Sequence, residues 1–275
     1  IDESAALLDR GSFYFQNESQ SFGGAVSAAG RVSTAIEDCV FKENVSTRGG
    51  ALHSDGTVTI RRSEFESNVA SGEGGAVNAF RGSVEDSTFT GNSSERGGAL
   101  HSFNVDQAFS VVRVRASNNS ASVRGGALAG YLRVSNSLLT SNEAPLGGAV
   151  SLRSRRSAFI ENECTDNTAQ FGGCLAILEG LPEAPFTFAR NNVFDNHASE
   201  GTGANLSNEA CEPELLVLDS TYWGNGELDG LAEFGVEQVC ASPDVETRVT
   251  QPVSEPWPRC ADASDAVTCV GPSSL

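Results

Sequence analysis

The chain has 275 residues with 29 glycines and 7% aromatics, a composition that disfavours a helical bundle and favours many short strands joined by turns. Eighteen basic against 36 acidic residues leave a net charge of −18, which repels phosphate backbones and argues against a nucleic-acid partner. No run of about 18 apolar residues occurs, so no direct membrane insertion is expected.

Taken in chain order, the elements are those of a repeat. Ile1–Leu8 precedes it, and Ser12, Tyr14, Asn17 and Gly23 already belong to a first coil. A Gly-Gly-Ala-aliphatic tetrad then recurs: Gly23–Val26, Gly49–Leu52, Gly74–Val77, Gly97–Leu100, Gly125–Leu128 and Gly147–Val150, with the variant Gly172–Leu175 and a decayed copy at Gly203-Ala204. The steps between first glycines are 26, 25, 23, 28, 22 and 25 residues, so insertions fall in loops. Five or six residues before each of the first seven tetrads stands an asparagine, itself three residues after an aromatic: Phe41/Asn44, Phe65/Asn68 and Phe89/Asn92, with Tyr14/Asn17 as a close relative. In later copies Ala116, Leu139, Cys164 and Val193 replace the aromatic. Short alternating segments such as 58–60 and 112–114 lie upstream, so each repeat reads as two or three short strands.

Segments this short form one coil of a solenoid, in which each repeat pairs only with its neighbours. The expected fold is all-β: a right-handed parallel β-helix of about eight coils, the hand following the general preference of parallel connections. Equivalent residues then stack in columns. Val26, Leu52, Val77, Leu100, Leu128, Val150 and Leu175 face the core, each contributing about 1.5–3 kcal/mol of burial. Asn17, Asn44, Asn68, Asn92, Asn119, Asn142, Asn167 and Asn196 are expected to hydrogen-bond along the stack and to tolerate the left-handed backbone of a corner.

The residue after the aliphatic should point outward, which puts His53, Asn78 and His101 in one exposed stripe, a candidate surface for binding a partner or a sugar. The two imidazoles, two coils or about 9.6 Å apart, cannot share one zinc ion at its usual distance of about 2.0–2.1 Å, and no metal or other cofactor is expected. Arg48, Glu73 and Arg96, just before the glycines, are expected to form an alternating-charge ladder.

Seven cysteines show no CxxC pair, and disulfides in an exported protein account for them better than metal binding. The expected pairs are Cys164–Cys174, Cys211–Cys240 and Cys260–Cys269; Cys39, at a position held by Ser63 and Ser87 in the next coils, is expected to be a free buried thiol. The repeat fades near Thr221–Gly224, giving two regions: residues 1–224 as the β-helix and 225–275 as a loop-rich, disulfide-stapled C-terminal cap. The first coil has no comparable cap and is expected to meet an upstream region or a partner chain.

The paired motifs resemble the repeats of the chlamydial polymorphic outer membrane proteins, GGA followed by Ile, Leu or Val together with Phe-x-x-Asn, over roughly residues 12–224. That resemblance implies a bacterial β-helical passenger that is secreted or exposed at the cell surface in association with the outer membrane, often an adhesin. The leading expectation is therefore a non-catalytic exported protein that binds a protein or glycan at a cell surface. Two alternatives stay open: a structural subunit of a surface assembly, docking through its small Gly-Ala face, and a carbohydrate-active lyase or hydrolase. The last needs grouped acids and bases, whereas Asp38, Asp55, Asp86, Asp106 and Asp195 fall on scattered repeat positions.

Overall fold

No single repeat buries enough surface to fold alone; the neighbouring repeats complete it. A computed structural model describes residues 6–153, 157–178 and 186–200 with their side chains, and beyond residue 200 the backbone of seven short strands. The described residues contain no helix. They form a parallel β-solenoid whose coils pair in register with the coils before and after.

Three sheets run along it. The largest has 17 strands. It carries the tetrad strands, such as Val26–Ala28, Leu100–Ser102 and Leu128–Gly130, and the strands that follow them, such as Ser33–Glu37 and Phe109–Val112. In two coils the pair runs on without a break, as Leu52–Arg61 and Val77–Glu85. The second sheet has nine strands, from Phe13–Phe15 to Tyr222–Trp223, and carries the aromatic position. The third contains Val45–Arg48, Val69–Glu73, Ser93–Arg96 and Ser120–Arg124, and continues through isolated bridges at Glu143 and Leu146.

The register explains the columns. Phe41 lies opposite Phe65 and Phe65 opposite Phe89. Their rings stack with Tyr14 at centroid distances of 4.7, 4.8 and 4.7 Å, one ring per rung. Such stacking adds about 0.5–1.5 kcal/mol per pair beyond burial. The aliphatic column from Leu52 to Leu175 is fully buried.

The sharp tetrad corner depends on both glycines. Gly49 is left-handed (φ 62°), and a Cβ on Gly50 would sit 2.1 Å from the carbonyl oxygen of Gly75 in the next coil. The alanines of the tetrads, from Ala51 to Ala149, are buried in the core. The Gly-Ala face is therefore not the exposed docking plane expected from sequence: the glycines let the corner turn so tightly that the alanine behind them faces inward.

The asparagine column lines a second corner. Asn17 donates to Asn44 (2.8 Å), Asn44 to Asn68 (2.9 Å), Asn68 to Asn92 (3.0 Å), Asn92 to Asn119 (2.9 Å), Asn119 to Asn142 (3.0 Å), Asn142 to Asn167 (3.0 Å) and Asn167 to Asn196 (2.9 Å). Each amide oxygen also accepts the backbone N–H of the asparagine one coil earlier, as Asn92 does from Asn68 (2.9 Å). The left-handed residue is not the asparagine but the one before it, from Gln16 and Glu43 to Asp166 and Asp195. That residue makes the bend, which frees the asparagine to turn its amide into the stack.

Cys164 and Cys174 are bonded to each other, and Cys39 is free and buried. The expected pairs Cys211–Cys240 and Cys260–Cys269 lie outside the described residues. Parallel pairing continues past residue 224. Val236–Gln238 pairs with Leu206–Asn208, and Glu246–Thr250 pairs with Leu215–Asp219. Two strands of the expected cap thus extend the main sheet, and among the described strands Ala261–Ala263 and Ala266–Thr268 form an antiparallel hairpin.

Candidate functional site

The column after the aliphatic residues is aligned as expected: Asn78 lies opposite His53 on one side and His101 on the other. It is not exposed. His53, Asn78 and His101 retain 4%, 1% and 7% of their accessible surface. Two features cover the column. Phe22, ahead of the first tetrad, stacks on the His53 ring at 4.6 Å. Phe103 lies parallel to the same ring at 6.3 Å and tilted against Phe80 at 5.4 Å. Phe103 comes from an excursion between Leu100–Ser102 and Phe109–Val112, where the two preceding coils run straight on as Leu52–Arg61 and Val77–Glu85. The 28-residue step from Gly97 to Gly125 is the sequence trace of that excursion.

Between these rings is a cavity of about 240 Å³ lined by Phe22, Arg48, His53, Asp55, Glu73, Asn78 and Phe103. Glu73 sits between two guanidinium groups, at 3.3 Å from Arg48 and 3.1 Å from Arg96. Arg48 also lies over the Phe22 ring, 5.8 Å from its centroid. His53 Nε2 is 3.1 Å from the Asp55 carboxylate. Burial pushes the His53 pKa below its ordinary value and outweighs the pull of Asp55, so the ring is neutral near pH 7. A neutral ring facing a carboxylate through Nε2 carries its proton there, which leaves Nδ1 with a bare lone pair.

Several buried polar atoms of this column have no hydrogen-bond partner: His53 Nδ1, Asn78 Oδ1, His101 Nδ1 and Ser151 Oγ. Buried atoms of this kind are uncommon and point to an absent partner. The residues His53 and Asn78 line the cavity; His101 lies one rung further along, where burial pushes its pKa down to about 4.

A longer concavity of about 870 Å³ follows the third sheet past Ser94, Ala121, Ala144 and Ala169. It is lined largely by small side chains, and none of the unpaired buried atoms lies in it. Among the described residues no three His, Cys, Asp or Glu side chains converge as a metal cluster, and no helix is long and apolar enough to cross a membrane.

Sequence reasoning passed over two further columns. Ser63, Ser87 and Ser137 each accept, through Oγ, a backbone N–H from the preceding coil, and Asn162 and Asn191 continue the series through Oδ1. At the adjacent left-handed corner Asp38 meets Arg62 at 2.7 Å, Asp86 meets Arg113 at 2.6 Å and Glu161 meets Arg190 at 2.7 Å. Asp38 and Asp86 thus share one repeat position two coils apart, each held below the usual carboxylate range chiefly by the guanidinium that donates to it. The recurring serine two residues before the aromatic was the available sign of the first column.

The sheets and their columns define a repeat protein of the parallel β-solenoid class. One stretch is more particular: residues 86–102 match the Chlamydia polymorphic membrane protein (Chlamydia_PMP) repeat. That stretch holds the Phe89–Asn92 pair and the Gly97–Leu100 tetrad, so the resemblance rests on residues that build the core and the corners. No curated protein and no solved structure matches the chain.

Proposed function

We propose that this chain is a non-catalytic, exported β-solenoid that acts in adhesion or binding at a bacterial cell surface, in association with the outer membrane. The observation that carries the reading is the repeat at residues 86–102, whose family is one of membrane proteins, set in an unbroken parallel solenoid. A rod of stacked coils presents long side faces to a partner while its core stays dry. The acidic surface, with its net charge of −18, favours a protein or glycan partner over nucleic acid.

The test has two arms. Antibody labelling and protease shaving of intact producing cells should reach the protein; labelling only after lysis would overturn the surface assignment. Beads coated with the purified chain should bind cells that uncoated beads do not, and equal retention of both would overturn adhesion.

A second reading, a structural subunit of a surface assembly, draws on the first coil. There Leu8 and Phe13 are each 64% exposed, and among the described strands Ala6–Arg10 pairs with Ser33–Glu37 alone. Light scattering against concentration separates this reading from a protein that stays monomeric.

A further inference from the structure

The cavity under Phe22 and Phe103 has a chemistry narrow enough to name a class of ligand. Two of its lining residues carry unpaired buried atoms, His53 Nδ1 and Asn78 Oδ1, and both are hydrogen-bond acceptors. They belong to residues directly opposite each other on adjacent rungs, about 4.8 Å apart along the axis. Leaving two acceptors dry is unfavourable, so a ligand that offers two donors spaced to reach neighbouring rungs gains most at this place.

The charge around the cavity is balanced. Of the charged residues in its lining, Arg48 stands against Glu73 and Asp55; Arg96, outside the lining, pairs with Glu73 and completes the balance, and His53 is neutral. A charged ligand would find no uncompensated counter-charge here, whereas a neutral one needs none. Asparagine 78 also keeps its amide nitrogen turned to the Glu73 backbone oxygen at 3.4 Å, which fixes Oδ1 as the atom presented.

The remaining walls are aromatic. The Phe22 and Phe103 rings both lie nearly parallel to the His53 ring, with interplanar angles of 20° and 5°. Phe22 is 41% exposed, which leaves the cavity open to solvent on its side. A concave site with apolar walls and a few convergent polar groups is the usual form of a small-ligand pocket. A volume of about 240 Å³ admits one six-membered sugar ring and little more. Such a ring brings hydroxyl donors along its edge and a C–H face that lies against an aromatic ring.

We infer that this corner cavity binds one neutral pyranose unit of a glycan, its hydroxyls donating to Asn78 Oδ1 and His53 Nδ1 and its C–H face packed on Phe22 or Phe103. The inference rests on the surface-binding reading above and narrows it to a ligand and a place. Arg48, already held by Glu73 and Phe22, has guanidinium N–H groups to donate to a ring or hydroxyl oxygen. The excursion that supplies Phe103 is then the part of the repeat specialised for binding.

The experiment uses the whole chain. Saturation-transfer NMR and calorimetry are run with neutral methyl glycosides of glucose, galactose, mannose and N-acetylglucosamine, with glucuronate and lysine as charged probes. At least one neutral glycoside is expected to bind at millimolar concentration and to move the ¹⁵N resonance of His53 Nδ1. Phe103→Ala and Asn78→Leu should each weaken that binding tenfold or more while thermal melting stays cooperative. If Asn78→Leu fails to fold, Phe103→Ala and the wild-type His53 resonance decide alone. Preference for lysine or glucuronate, absence of any neutral glycoside binding, or binding unchanged in Phe103→Ala would each overturn the inference. Coated beads that hold cells equally well with and without Phe103→Ala would leave surface binding standing and remove the sugar site from it.

Discussion

Asn92 shows what one residue contributes when it recurs in a column. Its amide nitrogen donates to Phe65 O and Asn119 Oδ1, and its Oδ1 accepts from the backbone and side chain of Asn68. Truncation to alanine leaves groups in two neighbouring coils buried and unpaired, each worth about 1–3 kcal/mol. Asn92→Ala is expected to lower unfolding stability by about 2–4 kcal/mol, read as a fall in urea midpoint at unchanged slope. His101 carries a pH signature of its own. Burial is the main cause of its low pKa of about 4, against an ordinary value of 6.5; Glu73 opposes the shift, while Arg124, Arg96 and Arg153 reinforce it. The unfolded chain therefore binds the proton first. The stability is complete above pH 6.5 and is lost as pH falls from 6.5 towards 4. His53 acts in the same direction. Urea midpoints at pH 7 and pH 5 should differ in the wild type and differ less in His101→Gln; an equal drop in both would assign the loss elsewhere. Asp86, held low by Arg113, weakens the fold only once pH falls below its ordinary 3.8, so its window is separate.

At the scale of the element, the repeat was readable because its corners leave few choices. The glycine pair and the asparagine mark two of the turns, and counting between them locates the strands. The burial of His53, Asn78 and His101 was not readable, because alternation along a strand gives a side but not what lies over that side. The cover comes from Phe22, which holds the position before the glycines on another coil, and from Phe103 on an excursion outside the repeat pattern. The same limit applied to the charged corner: Asp38, Arg62, Asp86 and Arg113 look unrelated until the register sets them one above another. Cys164 and Cys174 are a clearer case. Cys164 stands where Phe41, Phe65 and Phe89 stand, and Cys174 where the tetrad alanine stands. The bond therefore replaces ring packing in a coil that has lost its aromatic. Reduction is expected to cost about 2–3 kcal/mol and to loosen the neighbouring coils first. Limited proteolysis with and without dithiothreitol should place new cuts between residues 160 and 200; cuts confined to the first coils would contradict this.

For the molecule as a whole, stability is a sum over coils and the interfaces between them. Rungs with partners on both sides, such as Ala76 donating to Ala99 and Ala99 to Ala127, can open only when two interfaces part. Ala6–Arg10 has one pairing partner among the described strands. Hydrogen exchange should be slowest from Phe65 to Leu139 and fastest in the first coil; uniform protection along the chain would instead mean that the rod opens as a single unit. The acidic surface adds self-repulsion along the rod, which moderate salt screens.

The alternation at the charged corner also constrains how such a chain can change length in evolution. Asp38, Arg62, Asp86 and Arg113 follow one another on successive coils with signs that strictly alternate. Losing the single coil that carries Arg62 would set two carboxylates face to face, while losing two adjacent coils would restore the pairing. In this stretch, duplication and deletion are therefore tolerated by even number, a parity rule written in the side chains.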